Sequence, residues 1–259
     1  MIAGARLAGR SDATNGASPM LFVHGVGSTA AIWDRQLEFF AGSRLCAAIE
    51  LRGNGVAKPD PDPATITRAG FAEDVLIVAD ALGAERFTLV GCSLGGVVAF
   101  ELWRRAPQRI AAMVILGSFA RYPDGEQVAQ RISAEARAAG SMRAYGEQRA
   151  AKLGLPPDRL YETVEQFACK SLECFVASTH ATWTGDHRDI LPSIDVPVLV
   201  AHGERDVVAP RALAQEMASG IAGSELVEIA GAGHVANADA PAAFNELLND
   251  FSKRTSDLG

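Results

Sequence analysis

Cysteine is scarce in this chain: Cys46, Cys92, Cys169 and Cys174 are the four among 259 residues, and no two form a C-x-x-C pair. That spacing offers neither a disulfide framework nor a zinc site, so reduced, mostly buried thiols are expected and no metal. Clustered positive charge is also missing. Lys and Arg number 24 against 31 Asp and Glu, a net charge of −7, and no basic run could neutralise successive phosphates, which excludes nucleic acid as the expected partner. No apolar run reaches the roughly 20 residues of a membrane helix, and residues 1–6 lack the basic start and apolar core of a signal peptide. A cytoplasmic protein without a membrane partner is expected. Internal repeats and low-complexity tracts are absent too. What remains is 48% hydrophobic and 21% charged, enough for one large α/β domain or a core with an insertion.

Short continuous apolar runs at 20–23, 46–51, 87–90, 113–116 and 196–201 read as strands buried on both faces, with a weaker one at 226–229 and at most a short edge strand at 2–8. A turn is expected at Asn15-Gly16. Between them lie helical patterns: one capped by Ser28 or Thr29 and running to about Phe40, a stripe from Phe71 to Leu82 stopped by Gly83, then 93–105, 211–219 and 242–251, with 252–259 as a frayed tail. Strands alternating with helices imply βαβ units, hence a mostly parallel central sheet with helices on both faces. From Ala120 to Leu191 the rhythm breaks into helical patterns alone, at 128–139, 142–153 and 160–181. The organisation expected is a core of 1–119 and 192–259 interrupted by an all-helical insertion, 120–191.

The densest chemical signal is Gly91-Cys92-Ser93-Leu94-Gly95, a G-x-S-x-G pentapeptide with a strand before it and a helix after it. Such a strained turn pushes a serine hydroxyl out beyond the sheet, and glycines on either side let strand and helix approach closely. Cys92, beside the serine, should point the other way. A serine hydroxyl needs a base, and the base a carboxylate to orient it. Of five histidines, His24 lies in a glycine turn, His202 inside a strand, and His180 and His187 in or beside the insertion; His234, in Gly231-Ala232-Gly233-His234, stands on a loop after the last strand. Asp206, before the Pro210-led helix, is the candidate carboxylate, with Glu204 its competitor. The order Ser93, Asp206, His234 is the order of an α/β-hydrolase.

On these motifs, with His24-Gly25-Val26-Gly27 after the first core strand, the sequence resembles the α/β-hydrolase superfamily over nearly its full length. The resemblance implies the α/β-hydrolase fold, backbone N–H groups of Val26 and Leu94 as an oxyanion hole, and a helical cap in the insertion. Where many members have Asp before Arg-Gly-x-Gly, this chain has Glu50.

The reaction expected is hydrolysis of a small ester or lactone through an acyl-enzyme on Ser93, with His234 as base, Asp206 as its orienting acid and no cofactor. Trp33, His180 and Trp183 are candidates to face the substrate. The chain looks most similar to enol-lactonases, with carbon–carbon hydrolases of vinylogous diketones and simple esterases as near relatives. Acidic substrates of the first two would need a cation, for which the insertion offers Arg121, Arg143, Arg149 and Lys152. Perhydrolase or cofactor-free oxygenase chemistry, and a receptor without turnover, compete with hydrolysis. The partners expected are a small ester, lactone or ketone, with the protein a monomer or small homo-oligomer.

Overall fold

A computed structural model describes residues 4–9, 18–55, 60–153 and 157–256. The Asn15-Gly16 turn lies outside them. Among the described residues seven strands form one sheet: β1 (Ala5–Ala8), β2 (Met20–Val23), β3 (Cys46–Ile49), β4 (Phe87–Cys92), β5 (Ile110–Leu116), β6 (Val198–Gly203) and β7 (Glu225–Ile229), in the order β1-β3-β2-β4-β5-β6-β7. All neighbours run parallel except β1, which pairs antiparallel with β3 at one edge. The helices are α1 (Asp34–Phe40), α2 (Arg68–Ala81), α3 (Leu94–Arg105), α4 (Gly125–Ala138), α5 (Met142–Leu153), α6 (Pro157–Ala168), α7 (Leu172–Trp183), α8 (Arg211–Gly220), α9 (Ala236–Asp239) and α10 (Pro241–Ser256). This is the α/β-hydrolase fold that the sequence implied.

Alternation along the strands sorts the core into two layers. In β2, Leu21 and Val23 pack with α2, α3 and α8. Met20 and Phe22 pack on the other side with α1 and α10, through Trp33, Leu37, Phe244 and Leu248. Thr29 is the cap at the first helical stretch: its side chain accepts the Ala31 N–H of a 3-10 turn, Ala30–Trp33, that leads into α1.

Two expectations change. The stretch 160–181 is not one helix but α6 and α7, because Ser171 adopts extended backbone and its hydroxyl accepts the Cys174 N–H, starting a new helix. The tail is helical to Ser256, where α10 keeps Phe251 and Ser252 buried. Among the described residues no helix is long and apolar enough to cross a membrane.

Candidate active site

Ser93 sits between β4 and α3 with φ 54° and ψ −112°, a strained backbone for a residue with a side chain. The surroundings fix it there. Its N–H donates to the Leu116 carbonyl at 2.9 Å, and its own carbonyl accepts the Ser118 hydroxyl at 2.7 Å. The two flanking glycines are required by contact: a Cβ on Gly91 would collide with the Gly95 carbonyl, and one on Gly95 with the Val23 carbonyl. Cys92 is buried in the layer of α1 and α10, and burial pushes its thiol pKa far up, so it stays protonated and inert.

Asp206 follows β6 on the loop into α8. Its side chain is fully buried, and Oδ1 accepts the N–H groups of Val208 (2.8 Å) and Ala209 (2.9 Å). His234 Nδ1 lies 2.9 Å from Asp206 Oδ2 and 3.1 Å from Oδ1. Burial alone would raise this carboxyl's pKa, but the hydrogen bond and charge of His234, helped by the two N–H groups, hold it below the usual aspartate value. Glu204 does something else: its Oε2 accepts the Gly231 N–H at 2.7 Å, anchoring the start of the His234 loop. Asp239 Oδ2 anchors the same loop through the Gly233 N–H at 2.9 Å.

Ser93 meets this pair across Gly117 and Ser118, at the end of β5. A Cβ on Gly117 would stand 3.2 Å from Asp206 Oδ2 and 3.3 Å from His234 Nδ1, while Ser118 bonds Ser93. Sequence reasoning passed over these two residues; the signal available was a Gly-Ser closing a buried strand at the edge where Ser93 stands. Among the described residues the Ser93 hydroxyl makes no hydrogen bond to the His234 ring, a contact that commonly tightens only with substrate bound.

On the other side of Ser93, Gly25 approaches so closely that a Cβ there would lie 3.1 Å from the Ser93 Cβ. His24 is buried and braces this turn, its Nδ1–H donating to the Gly25 carbonyl at 2.8 Å. Glu50 stands beside it, Oε1 3.2 Å from His24 Nε2, and accepts the Ala30 N–H at 3.4 Å, so the longer acid still supports the turn. The N–H groups of Val26 and Leu94 have no acceptor among the described residues.

Helices α4 to α7 cover this edge. They enclose an apolar cluster of Val97, Phe119, Ile132, Tyr145, Phe167, Phe175, Trp183 and Leu213, with Val26, Tyr122 and Val208 at its margin. Three contacts tie α6 to the sheet's loops: Ser28 Oγ donates to Gln166 Oε1 at 2.7 Å, Phe167 packs on Gly27 where a Cβ would not fit, and Arg159 Nη1 lies 3.6 Å from Asp239 Oδ1.

The three candidates for substrate contact separate. Trp33 lies in the core beneath the sheet, packed between Phe22 and Phe244, since the first turn after Thr29 points it inward. His180 is on the outside of α7, 3.5 Å from Glu126 Oε2. Trp183 alone reaches the apolar cluster, stacked on Phe119 with ring centres 5.3 Å apart. The cations proposed for an acidic substrate are engaged elsewhere: Arg143 with Glu165, Lys152 with Glu135, Arg121 with Asp186. Arg149 is half-buried near the Tyr145 hydroxyl, a neighbourhood it shares with Glu135 and Arg131.

The sequence matches the Alpha/beta hydrolase family over residues 20–247. It is 28% identical over 251 residues to "Putative carbamate hydrolase RutD" of Azorhizobium caulinodans, covering 90% of this chain and 91% of that protein. With 3-oxoadipate enol-lactonase 2 of Acinetobacter baylyi the identity is 25% over 241 residues, covering 91% and 88%. The crystal structure of the enol-lactonase from Burkholderia xenovorans LB400 superposes with a TM-score of 0.85 at 26% identity, covering 96% of this chain and 95% of that one.

Proposed function

We propose, since the chain belongs to the alpha/beta hydrolase family and is a hydrolase, that it cleaves a small carboxylic ester or lactone through an acyl-enzyme formed on Ser93. In this reading His234 takes the Ser93 proton through Nε2 as the oxygen attacks the carbonyl carbon. Asp206 keeps the imidazole proton on Nδ1 and stabilises the imidazolium that forms. The carbonyl oxygen, now an anion, accepts hydrogen bonds from the Val26 and Leu94 N–H groups, donors worth about 3 kcal/mol each in measured enzymes. Imidazolium then gives its proton to the departing alcohol. Water, deprotonated by His234, then attacks the acyl carbon; the bond to Ser93 Oγ breaks as the imidazolium returns its proton to that oxygen, and the acid is released.

The observation that carries the reading is the buried Asp206 carboxylate at 2.9 Å from His234 Nδ1, set beside a serine whose backbone is held strained. The enol-lactonase likeness supports the ester and lactone class. Residues 120–191 act as a cap on a core of 1–119 and 192–259. Fluorophosphonate labelling followed by peptide mapping tests the proposal: Ser93 is expected to carry the label, and Ser93→Ala to lose ester hydrolysis by at least about a thousandfold while folding normally. Labelling elsewhere, or near wild-type turnover in S93A, would sink it.

A further inference from the structure

Two buried polar atoms without partners stand on α7, the helix that lends Phe175 and Trp183 to the apolar cluster over Ser93. On α7, Phe175, Thr179 and Trp183 fall at intervals of four and so share one face. Phe175 and Trp183 both belong to the apolar cluster that covers the site, which turns Thr179 between them the same way. Thr179 is fully buried and Trp183 is 5% exposed, yet neither Thr179 Oγ1 nor Trp183 Nε1 has a hydrogen-bond partner. Buried donors left unpaired destabilise a protein. Val and Phe would build the same wall without that cost.

The placement connects these atoms to the chemistry. Trp183 stacks on Phe119 at 5.3 Å and meets Tyr122 edge-on at 4.5 Å. Phe119 directly follows Ser118, whose hydroxyl holds the Ser93 carbonyl, and Gly117, which touches Asp206 and His234. Trp183 is thus linked through the Phe119 ring to the segment after β5 that carries Gly117 and Ser118.

We propose that Thr179 Oγ1 and Trp183 Nε1 bind a second hydrogen-bond acceptor on the acyl part of the ester or lactone. The inference rests on the serine-hydrolase reading and narrows its substrate to acyl groups carrying an oxo or similar oxygen. Both atoms are sealed from water in this arrangement, so the acceptor reaches them as α4 to α7 shift over the site.

Ethyl acetoacetate and ethyl butyrate differ by that one acceptor, and each is used to slow fluorophosphonate labelling of Ser93. Wild-type protein is expected to be protected at a lower concentration of the oxo ester. In Thr179→Val and in Trp183→Phe the ratio of the two half-protecting concentrations should fall about tenfold, the worth of a hydrogen bond of ordinary strength. The thermal midpoint of substrate-free T179V should hold or rise, because the lost hydroxyl had no partner. Equal protection by both esters in wild-type, or an unchanged ratio in both variants, overturns this inference alone. So does a T179V protein that is destabilised or fails to fold, since its hydroxyl was then already bonded. A Ser93 that takes no label overturns instead the hydrolase reading beneath it.

Discussion

At Asp206 the electrostatics give a signed expectation. Its folded pKa lies below the ordinary aspartate value of about 4, so in acid the unfolded chain binds the proton first. The stability this carboxylate contributes is complete above pH 4 to 5 and is lost as pH falls through its lowered folded value. Asp206→Asn should flatten the acid limb of stability in urea titrations between pH 2 and 6, and lower kcat by about ten-thousandfold through the wrong imidazole tautomer. Glu204→Gln, which only weakens an anchor of Gly231, should stay within about tenfold of wild-type turnover. The reverse outcome would exchange their roles. The order of Ser, Asp and His was readable in the sequence because each stands on a glycine-marked loop at a strand end. Gly117, Ser118 and Asp239 were not, because their contacts run to backbone atoms on other loops and leave no pattern along the chain.

The break between α6 and α7 shows what local pattern misses. Residues 169–171 contain neither Gly nor Pro and the apolar rhythm runs on through them, so nothing but a serine cap marks the joint. Trp33 was misplaced for a related reason: helical spacing names the buried face but not which side of the sheet it meets. The parallel strands were legible because a strand buried on both faces must be apolar throughout. At the α6–α7 joint sits Lys170, buried to 5% exposure and donating to the carbonyls of Asn54 (3.0 Å) and Gln166 (2.9 Å). Burial pushes its pKa down to about 8, against the smaller upward pull of Cys169 and Glu50. Between pH 8 and about 10 the unfolded chain holds more protons here, so the penalty of the buried charge, present below pH 8, is relieved as pH rises. Urea unfolding should show wild-type gaining up to about 3 kcal/mol relative to Lys170→Met over that window. Parallel curves for the two proteins would place the lysine's charge in contact with water.

At the scale of the whole molecule, α6 touches both loops flanking the proposed nucleophile: Gly27 and Ser28 on one side, and through Asp239 the His234 loop on the other. Amide hydrogen exchange should therefore find 26–28, 159–168 and 233–239 opening as one unit and gaining protection together once Ser93 carries a fluorophosphonate. Protection of all three equal to that of β4 and β5, unaltered by the adduct, would refute coupled opening. The same triple attachment governs what protein engineering can exchange. The region over the site is the natural part to swap between relatives when a new substrate is wanted. A transplanted helix lacking counterparts of Arg159, Gln166 and Phe167 would bring its new pocket at the expense of the loops beneath it. Such chimaeras should lose turnover even on substrates that both parents accept.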